Sequence, residues 1–130
     1  MRGMRAAWWR LGLVAALAGC HSKGEAAPSA PAPDPNTPVP VEVENHYYGD
    51  VVIYLARGSA RQRIGLVTAL STAKFSFPWR WLATSGSSRL LAYPIAGARA
   101  HASEPLLIQP GQWISWTLES DLSRSSLAVY

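Results

Sequence analysis

Three histidines, His21, His46 and His101, are the side chains that could act as a general base or bind a metal near neutral pH. A hydrolase needs a nucleophile, a base and an orienting acid within hydrogen-bond reach. His46 lies four residues from Asp50 and His101 three residues from Glu104. The serines gather in loop-like runs such as Ser85-Gly86-Ser87-Ser88, and no Gly-x-Ser-x-Gly elbow occurs. The pattern reads as exposed loop histidines and argues against an enzyme. His46, Asp50, His101 and Glu104 also form the one set with enough donors for a metal, but no local spacing joins the two pairs. With 1 cysteine, an internal disulfide and a cysteine-cluster metal site are excluded. Neither a metal nor another cofactor is expected.

Aromatic residues offer a different chemistry, flat apolar surface with a polar edge. Of 6 tryptophans, Trp8 and Trp9 precede Cys20, leaving Trp79, Trp81, Trp113 and Trp116. Trp116 shares parity with Ile114 and Leu118 and is expected in the core, which puts Trp113 on the opposite face. Trp79-Arg80-Trp81 follows Pro78, and two rings one residue apart point the same way if the chain stays extended. Together with Trp113, Tyr47 and Tyr48 they could form a platform for sugar rings or a partner protein. The competing expectation is that Trp79 or Trp81 plugs an open end of the fold. Arg57, Arg61 and Arg63 flank Gly58 and place three cations at one hairpin. A solvated face, paired with Glu42 and Glu44 on a neighbouring strand, is the default; lipid phosphate or an acidic polysaccharide is the alternative.

The N-terminus carries an address. Arg2, Arg5 and Arg10 precede the apolar run Leu11–Leu17, and Leu17-Ala18-Gly19-Cys20 closes it, the layout of a secretory signal. The run to Gly19 spans roughly 14 Å as a helix against roughly 30 Å of bilayer hydrocarbon, too short to anchor by itself. Leu17-Ala18-Gly19-Cys20 resembles the lipobox of bacterial lipoprotein precursors, an aliphatic residue, two small residues and a cysteine. The resemblance implies diacylglyceryl on the Cys20 sulfur, cleavage between Gly19 and Cys20, and acylation of the new amine. Each buried acyl CH₂ contributes about 0.8 kcal/mol, so two or three chains hold a protein on a membrane almost permanently. The implied location is the bacterial cell envelope, at the periplasm-facing inner or outer membrane or the cell surface.

Cleavage would also change the charge. Basic residues fall from 12 to 9 against 8 acids, and the net charge from +4 to +1. A near-neutral chain has no general attraction to nucleic-acid phosphates, so that partner class is excluded. Residues 20–40 then read as the lipidated Cys20 and a disordered tether. Pro28, Pro31, Pro33, Pro35, Pro38 and Pro40 withhold amide donors, and nothing large and apolar offsets the ordering entropy. Its reach is at most roughly 60 Å.

From residue 41 to 130, short β-branched and aromatic runs are cut by Gly, Pro and Ser every 8 to 12 residues or so. The spacing predicts an all-β, antiparallel β-sandwich of about 7–8 strands. Strands are expected at residues 40–45, 51–57, 61–67, 72–77, 88–93, 106–109, 112–118 and 125–130, with turns at Gly49, Gly58 and Pro110-Gly111 and little or no helix. The segment Ile108–Leu118 resembles the penultimate hairpin of immunoglobulin-like or transthyretin-like domains, and the whole layout is similar to small single-domain bacterial lipoproteins. The expected function is a lipid-anchored, non-catalytic binding or interaction module, with an envelope protein or polysaccharide as partner. A carbohydrate-binding module using Trp79, Trp81 and Trp113 is the alternative, and a small envelope enzyme the third reading.

Overall fold

Alternation of buried and exposed side chains sets the architecture. A computed structural model describes residues 32–84, 86–97 and 99–130; the lipobox, Cys20 and the tether up to residue 31 lie outside the described residues. In β1 (Pro38–Asn45) the odd-numbered Val39, Val41, Val43 and Asn45 are buried, while Pro38, Pro40 and Glu44 face solvent. β2 (Val51–Arg57), β5 (Ser88–Pro94) and β7 (Ile114–Leu118) alternate in the same way, each burying every second residue. With β3 (Ala60–Val67), β4 (Thr72–Pro78), β6 (His101–Ala102) and β8 (Ser126–Val129) they form two four-stranded sheets, in the orders β4-β1-β7-β8 and β3-β2-β5-β6. The result is an all-β sandwich. One pairing, β1 with β7, is parallel, and the others are antiparallel.

Val41, Val43, Ile114, Trp116 and Leu118 of the first sheet meet Val51, Ile53, Leu55, Leu90 and Ala92 of the second in one core. Each large aliphatic side chain so buried contributes about 1.5–3 kcal/mol relative to exposure. Gly65, opposite Ile53 in β3, lies so close to Phe75 of β4 that a Cβ there would overlap the ring. The absence of a side chain therefore lets the Phe75 ring lie against the strand. The Pro110-Gly111 turn forms as expected, with Gly111 at φ 88° and Gln112 N–H donating to Gln109 O at 3.1 Å.

Three details depart from the sequence reading. Pro38 to Pro40, assigned to the tether, open β1. Amides of odd-numbered β1 residues face β4, since Asn45 N–H donates to Ser71 O, and His46 N–H donates toward β7 at Leu118 O. The missing amides of Pro38 and Pro40 thus fall on the β7 side, where pairing starts only at Val41. No strand forms at 106–109. Pro105 has no donor, and the edge position next to β5 is taken by the two-residue β6. There Ser103 Oγ accepts from Leu90 N–H at 3.0 Å, while Leu106 is buried as a loop residue. Finally, Gly49 does not make a hairpin, because β1 and β2 belong to different sheets.

Candidate functional site

The six residues singled out as a binding surface, Tyr47, Tyr48, Trp79, Arg80, Trp81 and Trp113, lie in three places rather than one. Trp79–Trp81 is a single 3-10 turn. At three residues per turn, residues two apart diverge by roughly 120°, so the rings do not point the same way. Trp81 stacks parallel on Phe77 at 6.4 Å between centroids, whereas Trp79 lines an open groove with Leu82, Leu106 and Ile108. Both rings are partly buried and pack on the core, closing this end of the sandwich. Arg80 is exposed and its side chain bonds Asn36 Oδ1. The turn also receives the incoming chain, since Trp79 N–H and Arg80 N–H donate to Thr37 O and Pro35 O, each at 2.8 Å.

Trp113 lies on the outer face of the first sheet, as its parity with Ile114 requires, and is 37% exposed. Its ring stacks on Tyr130 at 4.8 Å, and the two residues exchange backbone hydrogen bonds. One shallow recess beside it is floored by Pro40, Glu42 and Lys74.

The opposite end of the sandwich is made of four connections, 46–50, 68–71, 95–100 and 119–125. Asn45 and Asp50 knit three of them. Asn45 Nδ2 donates to Gly49 O and to Thr68 O, both at 3.0 Å, and Asn45 Oδ1 accepts from Tyr47 N–H at 2.9 Å. Asp50 Oδ1 accepts from Ala69 N–H, and Asp50 O from Ile95 N–H. Tyr47, expected on a surface, is buried beneath Tyr48, ring to ring at 4.3 Å. On this frame sit Tyr48, Leu70 and Ile95, exposed by 72%, 73% and 63%. Leu70 has φ 53°, a left-handed conformation that costs a branched side chain about 1–2 kcal/mol. It is held there by Leu70 N–H donating to Tyr47 O at 3.2 Å and by hydrogen bonds between Thr68 and Ser71 on either side. Strain together with exposure of this kind concentrates at contact surfaces. Leu70 and Ile95 escaped the sequence reading because each is a lone apolar residue outside any period; the sole hint was their position beside turn residues.

His46 and His101, the histidines among the described residues, lie in different surroundings. His46 Nε2 is 2.8 Å from Glu44 Oε1 and Nδ1 is 3.3 Å from Glu119 Oε2, on the outer face of the first sheet. His101, expected in an exposed loop, is half-buried in β6 and stacks on Trp116 at 6.3 Å. Asp50 is occupied with the loop frame, and among the described residues no group of three or more His, Cys, Asp or Glu side chains is arranged to hold a metal ion. The hydrogen bond to Glu44, then that to Glu119, holds the His46 pKa above its ordinary 6.5. Its folded pKa is raised, so the stabilisation is complete below the ordinary value and is lost as pH rises through the folded one. The His46 ring, followed by NMR, should therefore titrate above 6.5, and Glu44→Gln should bring the midpoint down. A midpoint at or below the ordinary value would show that the pairs do not persist in solution.

No protein-family model matches the chain, and no curated protein matches it. Among solved structures, the chain is similar to a protein from Eubacterium rectale determined by NMR, with 11% identity and a TM-score of 0.42 over 76% of this chain and 92% of that one.

Proposed function

We propose that the chain is a lipid-anchored lipoprotein of a bacterial envelope, and that its β-sandwich is a non-catalytic interaction module whose contact surface is the loop end bearing Tyr48, Leu70 and Ile95. The observation that carries the second half is the three large apolar side chains, exposed on separate connections and fixed by one hydrogen-bonded frame. Backbone strain at Leu70 together with apolar area left in water supports reading this end as a contact surface. Residues 35–38 lie against the Trp79–Trp81 turn, and β1 runs from there to the loop end, roughly 23 Å away at 3.3 Å per residue. The first half rests on Leu17-Ala18-Gly19-Cys20.

Carbohydrate binding is the second reading, and the exposed Trp113 ring stacked on Tyr130 favours it. Trp79 and Trp81 do not contribute to it, because they pack on the core.

Two measurements test the proposal. Expressed in a bacterial host, the wild-type chain should gain acyl mass and sediment with membranes, while Cys20→Ser should lose both; a Cys20→Ser chain that stays on the membrane overturns the anchor. A photo-crosslinking residue placed at Leu70 should trap a discrete partner that the same residue at Ser76, on the outer face of β4, does not. Equal trapping at both positions, or none at Leu70, overturns the loop-end surface.

A further inference from the structure

The second sheet carries its charges in one sign only. Its four strands, β2, β3, β5 and β6, contain Arg57, Arg61, Arg63 and Arg89 and not one Asp or Glu. The carboxylates expected to neutralise them are elsewhere: Glu42 pairs with Lys74 at 3.8 Å and Glu44 with His46, both on the outer face of the other sheet. Among the described residues, none of the five arginines Arg57, Arg61, Arg63, Arg80 and Arg89 forms an ion pair with a carboxylate.

Register turns this composition into a shaped surface. Tyr54 pairs with Arg63, the next bridge joins Ile53 to Gly65, and Ile64 is the extra residue of a β-bulge between them. The bulge reverses the parity of β3, so Arg61 and Arg63 face outward although Val67, also odd-numbered, faces the core. Ala56 is opposite Arg61 on one side and Arg89 on the other. Two strand spacings place the backbones of those arginines roughly 10 Å apart with a methyl group between. The floor continues along β2 through Tyr54 to Val52, with Tyr93 edge-on to Tyr54 at 5.3 Å. Arg61 lies over Tyr93 at 5.4 Å and bonds its hydroxyl, and Arg89 Nη1 donates to Ser103 O at 3.0 Å. Both guanidinium groups are thus held in place with donors to spare, while the Arg63 side chain has no polar partner among the described residues.

We propose that this face binds a linear, carboxylated polysaccharide, laid along β2 with its carboxylates on Arg61, Arg63 and Arg89. The strip is one strand wide, which suits an extended chain. Guanidinium forks match carboxylates in two parallel hydrogen bonds, and the tyrosines offer apolar edges and hydroxyls to sugar rings. A lipid surface fits less well. Val52, Leu66 and Leu91 are partly buried, and none of the most exposed apolar side chains is on this face. The site is separate from the loop end, so it stands or falls independently of the interaction surface proposed there.

Titration calorimetry of the full chain, held in a neutral detergent, with polygalacturonate and with uncharged dextran of equal length tests the proposal. Polygalacturonate should bind and dextran should not, with affinity falling as salt rises. Arg61→Gln/Arg63→Gln/Arg89→Gln should weaken binding about tenfold or more. Arg63→Gln alone, which removes no contact within the fold, should weaken it measurably even if the triple variant proves unstable. Lys74→Gln, on the other sheet, should leave it unchanged. Absence of polygalacturonate binding, or equal affinity of Arg63→Gln and wild type, overturns the proposal. So does binding to phosphatidylglycerol vesicles without binding to polygalacturonate, which would make the face a membrane contact.

Discussion

Replacing Trp116 by alanine is expected to cost about 3–5 kcal/mol, as large aromatic truncations in cores do, out of the roughly 5–15 kcal/mol that holds a small domain folded. Trp116 is fully buried in β7, which lies between β1 and β8. Within the sheet it is opposite Val43 and Leu127, and across the core it stacks on His101 of the second sheet. The ring therefore fills the space between the sheets beneath the short edge strand β6, which is otherwise held by its pairing with β5. The alanine variant should lose the His101 contact, and with it β6, before the rest of the sandwich. Trp116 Nε1 has no hydrogen-bond partner among the described residues. Phenylalanine removes that unsatisfied donor and keeps most of the ring, so Trp116→Phe should cost only about 1 kcal/mol. Urea unfolding of both variants checks the pair. Similar large losses for Phe and Ala would mean that the indole N–H is satisfied and matters; a loss below about 1 kcal/mol for Ala would mean that the site collapses without penalty.

Trp116 was legible because parity along Ile114, Trp116 and Leu118 needs nothing beyond the pleat. The same rule fails wherever the ladder is interrupted. In β3, uninterrupted alternation back from Val67 would aim Arg61 and Arg63 into the core; the bulge at Ile64 resolves the conflict, and no residue type announces it. At Trp79-Arg80-Trp81 the extended geometry was an assumption, and the backbone instead turns to bond Pro35 and Thr37, residues read as part of the tether. Leu106 and Ile108 have the spacing of a strand, yet Pro105 and Pro110 bracket them with residues that lack a donor, and the edge of the second sheet went to His101–Ala102. Sheet assignment was equally hidden. Glu42 and Glu44 were expected beside the arginines because β1 precedes β2, but the connection crosses between sheets, which separates the charges and leaves the second sheet cationic. Local pattern thus gave the strands and their inward faces. Which strands are neighbours, and so which side chains share a surface, depended on tertiary pairing.

Asn45 should be the most damaging polar residue to remove. It is 1% exposed, and its one side chain satisfies three backbone groups, Gly49 O, Thr68 O and Tyr47 N–H. Asn45→Ala leaves Gly49 O and Tyr47 N–H without this partner at the edge of the core, while Thr68 O keeps the Ser71 hydroxyl, and at about 1 kcal/mol or more for each orphaned group the expected loss is about 2 kcal/mol. Asn45→Asp is the more diagnostic change. A carboxylate still accepts from Tyr47 N–H, but it faces Gly49 O and Thr68 O with lone pairs in place of two donors, so near neutral pH it should be at least as destabilising as alanine. Protonation restores one donor. Burial and the two facing carbonyls raise the pKa of that aspartate in the folded state above its unfolded value, so the folded state binds more protons and its stability falls as pH rises. The Asp variant should therefore regain stability on acidification relative to the Ala variant, as read by denaturant unfolding at a series of pH values; parallel pH profiles for the two would show that the hydrogen bonds contribute little. The consequence extends to function, because Asn45 joins the connection carrying Tyr48 to the one carrying Leu70. Loss of its amide should free Leu70 to leave its left-handed conformation, and a crosslinking residue at Leu70 in the Asn45→Ala background should trap its partner less well even where the sandwich stays folded.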